Sequence, residues 1–340
     1  MKNFNVLVTC AGGGLSPFLI NSLKNNSRHK DLKIIAIDNK TNALGKYFSD
    51  FFEEVPKGDS KNYINKIKKI IKKYRINLII PGSDEEAINL AKNRLVIEKK
   101  NTQLACIDYK NLKILSSKSN TYKTLENNGF KLPYWQSAQN QKQFTKFLSN
   151  YIERKKSFII KPSSTRGGRD VSVIKLNKKT LKLIKKSKKN YLNNLKKKYF
   201  KKYPIFLSDL LYEPIFDLDL LAWKGKLISG VVRRRVNPAD PNDGHIIVKN
   251  NEILNQGKKI VKIFNLSWLY DCDFMLDKKG NPVIIEINPR ASGSSSVSIA
   301  AGVPLYDNLI SLAKKKKLLN QRIPYGTKII AFKSLKKITN

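Results

Sequence analysis

The run DCDFMLDKKGNPVIIEINPR, from Asp271 to Arg290, decides how the rest of the chain is read. Two largely apolar, alternating stretches flank Asp277-Lys278-Lys279-Gly280-Asn281, which favours a tight reversal, so the run predicts a β-hairpin. With the turn centred between Lys279 and Gly280, Asp273 falls opposite Glu286 and Asp271 opposite Asn288. All four side chains then share one face of the pair. Opposed carboxylates repel unless a cation lies between them. Mg²⁺ is the natural occupant, because it takes oxygen ligands and fills its shell with water and nucleotide phosphates. Asp273 and Glu286 are the expected carboxylate pair around it, and Asp271 is expected to matter less. The register is critical, since a slip of one residue moves Asp273 to the other face.

Working outward to the N-terminus, strand and helix patterns alternate. NVLVT reads as a buried strand, AGGG as a turn, and Ser16-Pro17 as the cap and first position of a helix. KIIAID (Lys33–Asp38), NLIIP (Asn77–Pro81) and QLACID (Gln103–Asp108) are three further strands. Tyr63, Ile67, Ile70, Ile71 and Tyr74 recur at helical spacing. Ser83 is followed three residues later by Glu86, a capping-box pattern. Such alternation predicts a doubly wound parallel sheet.

The pattern changes near Leu115. SKSNTYKTLENNG reads as a helix ending at Gly129, and Gln141–Ile152 as a second helix. SFIIKP and VSVIKL read as strands joined by the loop SSTRGGRD, whose glycines let backbone N–H groups approach phosphate oxygens. Lys178–Lys202 holds twelve Lys and no acid, yet keeps an apolar stripe, so it is expected to be a helix with a solvated basic face. From Ile205 onward strand pairs predominate until a helix near Pro304–Ala313.

The composition narrows the function classes. At 340 residues the chain exceeds one ordinary core, and 41% apolar residues rule out a disordered polymer. The net charge of +40 raises nucleic acid or an anionic surface as partner, but Lys dominates the basic residues and there are only eleven Arg. Readers of base edges and phosphates lean on Arg forks, so a dedicated nucleic-acid binder is disfavoured. Three cysteines without metal spacing suggest a reducing compartment. No stretch reaches the length of a membrane span, and a cytoplasmic protein is expected. The AGGG turn with Asp38 imitates half a dinucleotide fingerprint, but A-G-G-G-L-S is not G-x-G-x-x-G. A P-loop is excluded by the missing G-x-x-x-x-G-K-[ST].

The run IIEINPRASGSSS closely resembles the metal and phosphate motif of the ATP-grasp ligases, especially one half of the carbamoyl-phosphate synthase large subunit and its small single-unit relatives. PGSDEE, Ser117-Lys118, FIIKPSSTRGGRDV and LYEPI fall in the family's order. The resemblance implies an α/β chain of three parts: a pre-ATP-grasp parallel sheet (1–115), a lid subdomain (116–203) and a C-terminal α+β nucleotide and metal subdomain (204–340). It implies that Lys118, Lys161, Gly167, Gly168 and Arg169 bind nucleotide phosphates, and that Glu213 and Ile215 hold ribose and adenine. Asp273, Glu286 and Asn288 would ligate Mg²⁺, with Mn²⁺ as a substitute. Arg290 would steady the transferred phosphoryl group, with Arg233 or Arg234 assisting and Arg234 preferred. Ser117 stands where the family has Asp. The hinge lacks the Gly-x-Glu expected after YEPI, which puts the ribose contact on Asp217 or Asp219.

The implied activity is an ATP- and Mg²⁺-dependent joining of a carboxylate to an amine through an acyl phosphate. Its partners would be ATP and small carboxylates and amines, and homodimers are common among such relatives. Two histidines and no Ser-His-Asp pattern agree with chemistry driven by positioning and charge neutralisation. Three rivals remain at this level: a basic protein held on RNA or lipid, a nicotinamide oxidoreductase, and a nucleotide-binding relative without ligase activity.

Overall fold

Apolar runs with buried interiors build most of the first sheet of the computed structural model, which describes residues 3–99, 101–164, 170–199, 202–320, 322–332 and 334–337. Strands β1 (Phe4–Val8), β2 (Leu32–Asp38), β3 (Phe51–Glu54), β4 (Leu78–Ile80) and β5 (Gln103–Leu104) are parallel, in the order β3-β2-β1-β4-β5. Val6, Leu7, Ile34, Leu78 and Ile79 are fully buried, as strands covered on both faces require. Helices Ser16–Lys24, Tyr63–Tyr74 and Asp84–Lys92 bury Leu23, Ile67 and Leu90 against this layer's core. The strand order turns back between β1 and β4, where open α/β sheets form their ligand crevices.

Four local expectations change. The short edge strand β3 was not legible in FFEE. QLACID is a strand only at Gln103–Leu104, because the Cys106 amide folds back to donate to Leu104 O at 2.8 Å. Ser16 is the first helical residue, and Leu15 occupies the cap position without a side-chain bond. Ser83 does cap its helix, accepting from the Glu86 amide at 3.3 Å, and its Oγ donates to Glu86 Oε2 at 2.8 Å while that carboxylate reaches into the core. There it accepts from Thr9 Oγ1 at 2.6 Å and Tyr63 OH at 3.2 Å. Burial pushes its carboxyl up from the usual range, against these donors.

The chain divides into two compact units. The first holds Met1–Lys113, Pro214–Phe274 and Ile285–Asn340, and the second holds Ile114–Glu213 and Met275–Ile284. In the second, strands β6 (Trp135–Ala138), β7 (Phe158–Pro162), β8 (Ser172–Ile174) and β9 (Ile205–Asp209) form an antiparallel sheet in the order β6-β9-β7-β8. Because β9 lies inside that sheet, the lid boundary expected at 203 falls within a single layer. Helix Gln141–Glu153 and the Lys-rich helix Lys178–Lys198 bury Phe144, Leu148, Tyr151, Ile184, Leu192 and Tyr199 in one core. The Lys-rich helix is interrupted at Ser187, whose backbone is non-helical (φ −151°, ψ 56°).

The third sheet comprises β10 (Tyr212–Trp223), β11 (Lys226–Arg235), β12 (Gly244–Ile247), β13 (Trp268–Leu276), β14 (Pro282–Asn288) and β15 (Lys328–Ile330), in the order β14-β13-β10-β11-β12-β15. The alternation in DLDLL separates its faces. Leu218 and Leu220 pack on Gly257 of helix Asn251–Ile263, leaving Asp217 and Asp219 on the opposite face. That helix is an addition to the sequence reading.

Gly82, which follows β4, holds the crossover tight. Its amide donates to Thr9 Oγ1 at 3.0 Å, and a Cβ there would lie 2.2 Å from Thr9 O. Backbone cannot yield as a side chain can. Gly82→Ala is therefore expected to lower stability by about 1–3 kcal/mol, the range for overpacking. The check is a fall in the urea midpoint at constant slope; an unmoved midpoint would contradict so close an approach.

Candidate metal and nucleotide site

Strands β10, β11, β12, β13 and β14 bring one set of charges together. The β10–β11 register sets Asp217 opposite Arg233 and Phe216 opposite Arg234. Arg233 is fully buried, whereas Arg234 is exposed on the other face. This replaces Arg234 by Arg233 as the arginine of the cluster. Period-two alternation is the reason: Arg233 and Arg235 share the face of Asp217, and Arg234 cannot.

Arg233 Nη2 donates to Asp219 Oδ1 at 2.8 Å and to Asp271 Oδ1 at 3.0 Å. Its Nη1 donates to Ser294 O at 3.0 Å, and Ser298 Oγ donates to Asp219 Oδ2 at 2.5 Å. Arg235 grips Asp217 with both arms, at 2.8 and 2.7 Å, and its Nη2 lies 3.3 Å from Asp273 Oδ1. His245 Nε2 lies 2.9 Å from Asp217 Oδ2. Asp217 and Asp219 are thus buried and occupied by cations and a hydroxyl. Neither can replace the missing hinge acid at a ribose.

Among the described residues, Asp217, Asp271 and Asp273 place one carboxylate oxygen each within 4.8 Å of one another. Their charges are unevenly balanced. Burial works against ionisation of Asp217, but Arg235 and His245 outweigh it and hold the carboxyl well below the usual range. Burial and the neighbouring Asp217 push Asp271 up to about 7, against Arg233. Asp273 is pushed well up by burial, Asp217 and Asp271, with Glu286 adding to the repulsion. Its Oδ1 is buried, with the Arg235 guanidinium 3.3 Å away but not aligned for a hydrogen bond. Five carboxylates on these strands therefore stand against two guanidinium groups, an excess of negative charge. A hard divalent cation with oxygen ligands fits that excess.

The hairpin has the geometry its sequence calls for. Asp277 N donates to Asn281 O at 2.9 Å, Gly280 has φ +84°, and Asn288 Nδ2 donates to Asp271 Oδ2 at 3.0 Å. Asp271 thus faces Asn288. It is far from peripheral, being buried and bonded on both oxygens. Arg290 lies nearby in sequence, with Nε 3.1 Å from Asp84 Oδ1 of the PGSDEE loop.

The second unit carries Lys118 and Lys161, both buried. The Lys118 amide donates to Ser163 O at 3.0 Å, so the start of its helix is fastened to the end of β7. Ser163 Oγ also meets Ser117 Oγ at 3.2 Å and Ser119 Oγ at 2.9 Å. Where the family has Asp, Ser117 caps the helix through the Asn120 amide. Lys161 Nζ stands 5.4 Å from the Phe206 ring centroid. Glu213 is exposed and Ile215 half-buried at the start of β10. Gly167, Gly168 and Arg169 lie outside the described residues. Sequence reading missed Arg235 and His245, although the spacing of Asp217, Asp219 and the RRR triplet carried the signal.

A parallel sheet followed by an antiparallel sheet and an acidic E-x-N-P-R hairpin is the architecture of the ATP-grasp proteins, and this chain shares it. Residues 175–338 match the family described as ATP-grasp in the biosynthetic pathway with Ter operon. Residues 6–105 match the PylC-like N-terminal domain. An uncharacterized protein of Methanocaldococcus jannaschii is 26% identical over 237 residues, or 65% of this chain. The chain spans about half (54%) of that relative's length.

Solved structures share the fold. N5-carboxyaminoimidazole synthetase from Staphylococcus aureus has a TM-score of 0.69 at 18% identity, covering 94% of this chain and 80% of its own. The biotin carboxylase domain of 2-oxoglutarate carboxylase from Hydrogenobacter thermophilus, solved with MgADP and bicarbonate, has a TM-score of 0.70 at 18% identity, covering 96% and 73%. L-amino acid ligase from Bacillus licheniformis has a TM-score of 0.67 at 14% identity, covering 93% and 75%.

Removing Arg233 would leave Asp219 and Asp271 buried without their counter-ion. Arg233→Met is expected to destabilise the fold by about 3–5 kcal/mol, as for one partner removed from a buried pair. Arg234→Met should leave the urea midpoint in place. Equal effects of the two substitutions would refute the opposite facing of the two arginines.

Proposed function

We propose that the protein is a Mg²⁺- and ATP-dependent ligase that joins a carboxylate to an amine or similar nucleophile through an acyl phosphate. The observation that carries this reading is the cluster of Asp217, Asp271 and Asp273, each with a carboxylate oxygen within 4.8 Å of the others, beside Glu286 and Asn288 of the hairpin. Asp273, Glu286 and the Asn288 carbonyl oxygen are assigned as the metal-holding atoms. Bound there, Mg²⁺ would neutralise phosphate oxygens as the γ-phosphoryl group moves.

Lys118 and Lys161 are assigned to the nucleotide phosphates, together with Gly167, Gly168 and Arg169 of the loop between β7 and β8. Glu213 and Ile215 are assigned to ribose and adenine. The substrate carboxylate attacks the γ-phosphorus, and the bond to the β-phosphate oxygen breaks, releasing ADP. Arg290, aimed by Asp84, steadies the transferred group. The amine then attacks the acyl carbon, the single bond from that carbon to the phosphate oxygen breaks so that inorganic phosphate leaves with the electron pair, and the amine proton passes to solvent. No protein nucleophile is required. The raised Cys10 thiol, pushed up to about 12 by burial and then by Glu86 and Asp38, is unsuited to be one.

The test is ADP release with Mg²⁺ across a panel of amino acids and small carboxylates, bicarbonate included. At least one acceptor should stimulate it. Glu286→Gln keeps the shape but removes a charge, and should lower turnover by about a hundredfold or more with an unchanged circular dichroism spectrum. Lys161→Ala should weaken ATP binding about tenfold in calorimetry, on the scale of a lost charged hydrogen bond. Normal turnover by Glu286→Gln would remove the metal assignment.

A further inference from the structure

The Asn288 amide sits at the end of a buried chain of bonds that leaves it one orientation. Ser298 donates to Asp219, Asp219 accepts from Arg233, Arg233 donates to Asp271 Oδ1, and Asp271 Oδ2 accepts from Asn288 Nδ2. An asparagine amide is nearly symmetric in shape but not in chemistry. Turning it over exchanges an acceptor oxygen for an NH₂ donor that no cation can use. Packing hardly distinguishes the two states, so a hydrogen-bond partner must do so.

Guanidinium is donor-only, so the Asp271 oxygen that meets it must accept. The second oxygen also accepts, and it takes the amide nitrogen of Asn288. With the nitrogen held, the carbonyl oxygen of Asn288 is turned away from Asp271. Both Asp271 oxygens are occupied at about 3.0 Å. A group so engaged is poorly placed to be a ligand itself.

We propose that Asp271 is a positioning residue that fixes the flip state of Asn288, so that Oδ1 rather than Nδ2 faces the cation. This rests on the metal assignment of the preceding subsection and adds to it a residue that touches neither metal nor substrate. It also reverses the minor part that the sequence gives to Asp271.

Asp271→Asn tests the idea without much change of shape. The new amide can satisfy Arg233 only with its carbonyl, so its NH₂ faces Asn288. Asn288 must then turn its own oxygen inward to accept, taking that oxygen from the cation. Adding Asn288→Asp supplies oxygens on both sides, one for the new NH₂ and one for the cation.

The readout is Mn²⁺ binding in the presence of ADP, followed by the electron paramagnetic resonance signal of free Mn²⁺. Asp271→Asn should weaken Mn²⁺ affinity about tenfold or more, equivalent to about 1.4 kcal/mol. The double variant should return to within about threefold of the natural protein, as ligand and partner act as a unit. If the single variant fails to fold by circular dichroism, recovery of folding and affinity in the double variant supports the proposal, and lack of recovery overturns it. Natural affinity in Asp271→Asn, or a double variant no tighter than the single, also overturns it. A natural protein that binds no Mn²⁺ with ADP overturns the metal assignment and this inference together.

Discussion

A single guanidinium, that of Arg233, sets the constraint on which the acidic face depends. It is fully buried, and it holds Asp219 of β10 and Asp271 of β13 at 2.8 and 3.0 Å while bonding the backbone of Ser294. Buried charges are tolerated only when paired and hydrogen-bonded, so these strands and the serine loop can pack in one way. The pairing also divides the carboxylates by role. Asp217, Asp219 and Asp271 are held by fixed cations, whereas Asp273 meets only the edge of Arg235 at 3.3 Å and is pushed well up by burial and the neighbouring acids.

Much of this was legible in the sequence, for identifiable reasons. β1, β2 and β4 are apolar runs buried on both faces, and such runs leave a strong signal. The hairpin announced itself through Asp277–Asn281, and the opposition of Asp271 and Asn288 followed from counting outward from the turn. β3 was silent because a four-residue edge strand with an exposed Phe51 has neither length nor alternation to declare it. Helix Asn251–Ile263 carried its signals, with Asn250 capping through the Ile253 amide and Ile253, Gly257, Ile260 and Val261 buried. The reading of the region as strand pairs passed over them.

The choice between Arg233 and Arg234 shows where sequence reading stops. Adjacent strand residues differ by a full reversal of face, and parity is set by the pairing partner, not by the residue. Once Phe216 is opposite Arg234, the answer is forced. His245 is a similar case, since its role comes from β12 pairing with Arg235, a contact across a long connection. Asp217 and Asp219 look like spare acids in a linear string. Only their burial shows that they are committed.

The first unit is interrupted, and that bears on the order in which the protein can be completed. Arg290 is held by Asp84, so an arginine from the last third of the chain meets a loop from the first. The intervening second unit is drawn mostly from one continuous stretch, Ile114–Glu213. Local contacts form early and distant ones late. On the ribosome, the stretch that builds the second unit emerges as one piece, while the parallel sheet waits with its loops open for a strand hairpin not yet synthesised. The acidic face is therefore among the last parts of the molecule to be assembled, and a chain cut short before β13 would carry Lys118 and Lys161 but not Asp271, Asp273 and Glu286.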